Sequence, residues 1–353
     1  MKNIAEILKF VKQETKEQKM GINNCIAIYR VGSHLYGTNT PTSDEDFEGI
    51  FIEDIDYVIG NKRCDEVNLG TNESNTRNTK DDVDFKLYSL RKFIELANEN
   101  KPEIETFFLP ESAIIYKNEY FDRLIKAKDL FLSKRLKHTF YKYAFAQKKK
   151  LIGKKKRLEE LRGFYEILEK GIKEGKRIIG ELNLLETVCE SYSERPRLSY
   201  VTKMKKEYTY IKYHQNGIGK DNIMVDDKKY DMGADIQRIF KNVKSQIDAY
   251  SGRTKDLEEH GFDSKFATTA IRINEEGIEL LKTGKTSFPC KNAQFQLEIK
   301  QGLHSLEDII EKIEELELEL EEAYNISTLR NSPDMEQISK LQIEMMLDFW
   351  RIK

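Results

Sequence analysis

VGSHLYGTNTPTSDEDFEGIF, residues 31–51, joins features whose combination is far more specific than any one of them. The run before it, Cys25-Ile-Ala-Ile-Tyr-Arg-Val31, is rich in β-formers and stops abruptly at Gly32-Ser33. A buried strand ending in a tight corner is expected there. Gly32 has no Cβ, so a phosphate can approach the backbone closely. The Ser33 hydroxyl and the amides of a helix start can donate to its oxygens. Residues 38–46 (TNTPTSDED) then hold nearly every turn-former, and Phe47 to Ile52 supplies a second strand apolar on both faces. Asp44 and Asp46 stand one residue apart where that strand begins, and the period of two throws both carboxylates to one side. Converging oxygen ligands of this kind suit Mg²⁺ (or Mn²⁺).

Working outward, Val83 to Tyr88 reads as a third strand, and Asp84 near its start can join the pair. Three carboxylates can hold two metals ~4 Å apart for in-line displacement at a phosphorus. Asp81 and Asp82 adjoin Asp84, and strand boundaries read from sequence slip by ~2 residues, so either is an alternative third ligand. Ser43 shapes the turn before Asp44 and joins Gly32 and Ser33 in the expected nucleotide-binding set. Glu48 shares the parity of Asp44 and Asp46 and either enters the site or forms an edge salt bridge. Tyr36 reads as packing, with stacking on a base as the alternative.

The N-terminus reads as an amphipathic helix with Ile4, Ile7, Leu8 and Val11 on one side, without the continuous apolar core of a signal peptide. Residues 61–80 read as a polar surface loop. Ser89 is placed to cap a helix over residues 90–98, a short helix is expected over residues 102–109, and an edge strand from Ala113 to Tyr116. From about residue 119 long helical patterns take over. The expected division is therefore a catalytic domain over residues 1–118 and a helical acceptor or substrate domain over residues 119–353. Within the latter, residues 197–213 alternate like a hairpin, so an insertion is expected at about 190–232. An acidic helix is expected over residues 305–324.

Across 353 residues, 34% are charged and the formal net charge is -2, which argues against a uniformly basic nucleic-acid coat. Charge does cluster locally. Between Lys134 and Arg157 there are eleven Lys or Arg and no acidic residue. A helix there carries either a solvated charged face or a basic surface for nucleic acid, with Lys148, Lys149 and Lys150 as candidate acceptor contacts. The four cysteines show no metal-ligand spacing, and a reducing, cytoplasmic setting is expected. No stretch approaches the ~20 apolar residues of a membrane span.

The pattern G-S-x10-D-x-D with a further Asp one strand later resembles the polymerase-β-like nucleotidyltransferases, specifically their bacterial and phage branch. Asp84 through Glu105, Tyr141 to Gln147, and Asp263 to Ala267 with Ile271-Arg272 and Glu279 to Leu281 resemble later segments of that branch. Thr269 departs from it, standing where the branch often has His. The resemblance fits an α+β fold, a mixed sheet flanked by helices; with the residue patterns above, a mostly helical domain with a small hairpin insertion is expected to follow it. The resemblance also implies an NTP substrate, Asp44, Asp46 and Asp84 as metal ligands and catalytic residues, and transfer of a nucleotide to a hydroxyl acceptor, RNA or a tRNA-like end ahead of protein. The alternatives are an enzyme adding AMP to a protein side chain and a non-catalytic RNA-binding module.

Overall fold

The computed structural model describes residues 15–41, 43–70, 83–192, 195–215, 221–251 and 260–352. Chain contacts divide it into two compact units, residues 1–148 with 264–353 and residues 149–263.

The first unit is built on a five-stranded mixed sheet. Strands β1 (Cys25–Val31), β2 (Glu45–Phe51), β3 (Glu66–Gly70), β4 (Val83–Ser89) and β5 (Ile114–Lys117) lie in the order β3-β4-β2-β1-β5. Only the β2–β4 pair is parallel. The period of two sorts β2 into faces. Phe47 and Phe51 enter a core with Ile28, Val67, Phe85 and Leu87, while Asp46 and Glu48 face the other way. The expected strands at residues 25–31, 47–52 and 83–88 are present, and β5 forms the edge. β3 falls inside what reads from sequence as a polar loop. Its Val67 and Leu69 are buried while Glu66 and Asn68 are exposed.

Helix α1 (Lys16–Asn23) starts at a capping box, with Thr15 accepting from the Gln18 amide and Gln18 reaching back to the Thr15 amide. Ile4, Ile7, Leu8 and Val11, read as an apolar helix face, lie outside the described residues, as does the 71–80 part of the expected loop. Helix α2 (Gly32–Tyr36) is a single turn after β1. Helix α3 (Leu90–Asn98) follows β4, and the Ser89 hydroxyl accepts from the Lys92 amide. Leu90, Phe93, Ile94 and Ala97 recur at helical spacing and are buried, which aims one face at the sheet. Burying a Phe93-sized side chain stabilises by about 1.5–3 kcal/mol, and Phe93→Ala would break that contact at a cost of about 3–5 kcal/mol. The short helix expected over residues 102–109 is a 3₁₀ stretch, Pro102–Phe108. Helix α4 (Glu119–Lys126) comes next, and α5 runs from Leu136 to Lys173.

The expected boundary at 118 does not coincide with this division, which falls inside α5 and returns the C-terminal helices to the first unit. The physical reason is long-range packing. Helices α7 (Ser264–Thr283), α8 (Ala293–Lys300), α9 (Leu306–Ile326) and α10 (Met335–Phe349) pack among themselves and on the N-terminal segment. Gly277 of α7, for example, would bring an added Cβ to 3.2 Å from Phe140 of α5 and 3.0 Å from Leu320 of α9. The acidic helix α9 is capped by Ser305 and buries Ile309, Ile313, Leu316 and Leu320.

In the second unit a hairpin, β6 (Leu185–Tyr192) with β7 (Arg195–Met204), precedes an antiparallel sheet of β8 (Lys212–Gln215), β9 (Asp221–Val225) and β10 (Lys228–Asp231). The expected insertion thus corresponds to two β-structures rather than one hairpin. Leu161, Phe164 and Leu168 of α5 share a core with Ile223, Val225 and residues Ile239 and Val243 of α6 (Ile236–Ser251). Among the described residues no helix is long and apolar enough to cross a membrane.

Candidate active site

The register of the sheet assembles the site at one end. β1 ends with Val31 paired to Asp46 of β2, and β2 places Asp46 beside Asp84 and Glu48 beside Lys86 of β4. The corner after β1, the start of β2 and the start of β4 are therefore adjacent. Gly32 has φ +70°, a left-handed conformation that favours glycine. A Cβ at Gly32 would overlap the Asp46 carboxylate. That carboxylate thus lies directly against the backbone of the Gly-Ser corner, a contact only a residue without a side chain permits.

A cavity of about 730 Å³ opens here, lined by Gly32, Ser33, Ser43, Asp44, Asp46 and Glu48. Each expected nucleotide-binding residue and two of the expected metal ligands thus meet in one space. Its volume is in the range of pockets that hold small-molecule ligands. The Ser43 hydroxyl accepts the Thr40 amide at 2.9 Å and lies 3.2 Å from the Thr40 hydroxyl, so it shapes the turn that delivers Asp44. Asp84 is fixed by backbone register only; its side chain, and all of Asp81 and Asp82, lie outside the described residues. Among the described residues, no three His, Cys, Asp or Glu side chains form a group that could hold a metal ion. The donors present, Asp44 and Asp46 beside the start of β4, are all hard oxygens, and this chemistry fits Mg²⁺ or Mn²⁺ rather than a softer metal.

Other lining residues were not singled out as a set from sequence: Lys86, Glu105 and Tyr143, then Lys265, Arg272 and Lys300 from α7 and α8. Glu48 occupies the cavity wall, the first of its two expected placements. Burial pushes its carboxyl up to about 8, reinforced by Glu105 and Glu103. Burial likewise raises Glu105, with Glu276 adding to the shift. Tyr36 is engaged in packing. Its hydroxyl donates to Glu105 at 2.6 Å, and the Arg272 guanidinium sits 3.9 Å from its ring centroid. Thr269 lines the cavity and donates to the Lys265 carbonyl at 2.7 Å. Glu105 and Arg272 fall in segments that resemble the family, but their spacing in the chain does not announce that they meet at this cavity.

The candidate acceptor lysines separate. Lys148 is buried and bonds Glu314 and Glu317 of α9, both at 3.1 Å, so its ammonium is committed to packing and the expected acceptor contact is corrected for this residue. Lys149 and Lys150 are exposed and fall in the second unit. Cys25, Cys64 and Cys290 are buried free thiols.

Residues 5–167 match a protein-family model described as the RNA repair pathway DNA polymerase beta family. A second comparison finds a relative in Enterobacteria phage T4, an uncharacterised 38.9 kDa protein of the nrdC-mobD intergenic region. The two are 27% identical over 298 residues, which span 80% of this chain and 86% of the phage protein. No solved structure matches the chain. The family match and the mixed sheet flanked by helices make the first part of the chain similar to the polymerase-β-like nucleotidyltransferases. The matched stretch ends at residue 167, so Lys265, Arg272 and Lys300 come from outside it.

Proposed function

We propose that this protein is a polymerase-β-like nucleotidyltransferase that moves a nucleotide from an NTP to a hydroxyl of an RNA end and releases pyrophosphate. The observation that carries the reading is the Asp46 carboxylate packed on the Gly32 backbone at the sheet end where Asp84 is its register partner. Phosphate oxygens and acidic ligands are brought into one small space by that contact. Three acidic residues at one sheet end repel one another unless a cation compensates them.

In this reading the Ser33 hydroxyl and the amides beginning α2 receive the phosphates. Asp44, Asp46 and Asp84 would hold Mg²⁺ or Mn²⁺, which when bound neutralises charge on the phosphates and polarises the phosphorus. The acceptor hydroxyl, giving its proton up to solvent, attacks the α-phosphorus, and the bond from that phosphorus to the oxygen bridging the α- and β-phosphates breaks as pyrophosphate leaves. Fixed charges and positioning carry such transfers, so neither a histidine base nor a covalent nucleophile is needed. RNA as acceptor is supported by the matched family's RNA repair description and by the exposed lysines of α5. The buried thiols fit a reducing compartment, and the cytoplasm is the proposed location.

The test is to incubate the protein with Mg²⁺ and each labelled NTP in the presence of total RNA or lysate protein. Label in RNA that disappears in Asp44→Asn/Asp46→Asn supports the proposal. Label in protein would redirect it to AMP addition. Retained RNA binding without label from any nucleotide would identify a silent binding module.

A further inference from the structure

Helix α2 has five residues, too few to hold its own shape, since isolated helices below ~12 residues are marginal in water. It is held from outside, and the C-terminal helices of the same unit supply the anchors. The Cys290 amide donates to the Tyr36 carbonyl at 3.1 Å, and Lys300 Nζ donates to the Thr38 carbonyl at 2.6 Å. The central anchor is Arg272 of α7. It bonds Glu276 at 2.7 Å and Glu105 at 3.4 Å, and its guanidinium lies 3.9 Å from the centroid of the Tyr36 ring, whose hydroxyl donates to Glu105.

This buried set is a poor device for stability alone. Removing an arginine and two carboxylates from water carries a desolvation cost that their attraction often fails to recover. What such a set does give is a fixed geometry, because a planar guanidinium can stack on a ring and bond carboxylates in its plane together. The element it fixes starts at Gly32-Ser33.

We propose that Arg272 is a positioning residue that acts through Tyr36 to hold the Gly32-Ser33 corner in the conformation that receives the nucleotide's phosphates. The proposal rests on the nucleotide-transfer reading and deepens it. A segment outside the matched family stretch thereby controls NTP affinity while the acceptor side is left alone.

The test is a double-mutant cycle with Arg272→Met and Tyr36→Leu. Binding of a fluorescent ATP analogue, KM for NTP, KM for acceptor RNA and melting temperature are measured for each variant. Each single substitution should weaken NTP binding by on the order of 10-fold to 100-fold and leave the RNA KM unchanged. The double variant should be no worse than the weaker single, since both break one linkage. Arg272→Lys should not rescue, because an ammonium lacks the planar fork.

Additive losses would mean that Arg272 contacts the nucleotide directly, and a raised RNA KM would move it to the acceptor side; either overturns the proposal. Should Arg272→Met fail to fold, Tyr36→Leu with Arg272→Lys decides, and unchanged NTP binding in both overturns it. Wild-type protein that binds the analogue but labels no acceptor counts against the transfer reading alone, and the binding cycle still judges Arg272. A wild type that binds no NTP overturns both.

Discussion

Gly32→Ala separates backbone strain from site geometry, because this glycine combines a positive φ with contact to a functional carboxylate. At φ +70° an alanine takes on left-handed strain of roughly 1–2 kcal/mol. Its methyl group also overlaps the Asp46 carboxylate, which must move by about 1 Å to clear it, and a displacement of that size at a reacting centre costs on the order of 100-fold in rate. Gly284→Ala is the matched control: Gly284 has φ +69° and nothing within 4 Å of an added Cβ, so it takes the strain alone. Gly284→Ala should lose about the strain energy and Gly32→Ala at least as much, read by denaturant unfolding. Initial rates of label transfer from NTP at saturating Mg²⁺ should fall by about two orders of magnitude in Gly32→Ala and stay near wild type in Gly284→Ala. Equal rates in the two variants would refute the claim that the Gly32–Asp46 contact organises the reaction.

Other consequences can be checked on the same protein. Glu48 has a carboxyl raised to about 8 from an ordinary value of 4.5, so the folded state binds its proton more tightly than the unfolded chain. Its contribution is fully present below about pH 4.5 and is lost as pH rises toward 8; melting in EDTA should show a flatter decline across that window in Glu48→Gln, and an unchanged slope would contradict the burial argument. Ser89→Ala removes the cap of α3 and should cost about 1 kcal/mol in denaturant unfolding, with activity retained by the protein that remains folded. Lys148→Met leaves Glu314 and Glu317 without their ammonium and should lose about 1–3 kcal/mol of stability. Lys149→Glu with Lys150→Glu should instead weaken RNA binding in a salt-dependent manner with little change in melting; loss of binding from the Lys148 change alone would reverse that assignment.

What the chain reveals before folding follows the range of its interactions. Gly32, Ser33, Asp44 and Asp46 were readable together because strand parity and a glycine corner act over a few residues, and the structure brings them to one cavity. The Ser89 cap and the apolar face of α3 are equally local. β3 was hidden because Glu66-Val-Asn-Leu-Gly70 offers just two apolar positions inside a polar stretch, and only pairing with β4 makes it a strand. The unit boundary escaped for a related reason: helical texture begins near residue 119, yet α7 and α9 pack beside the first part of α5. Likewise nothing in the spacing of Glu105 and Arg272 announces that they meet over Tyr36. Lys148 looked like its neighbours in a basic run and differs only in the helix face it occupies.

Crystals soaked with Mn²⁺ and a non-hydrolysable NTP put the central claim to its most direct trial, since manganese can be located by anomalous scattering. The account predicts manganese between Asp44, Asp46 and Asp84, with the triphosphate against Ser33 and the amides of α2. Manganese bound elsewhere, or a nucleotide seated away from the Gly32-Ser33 corner, would contradict it.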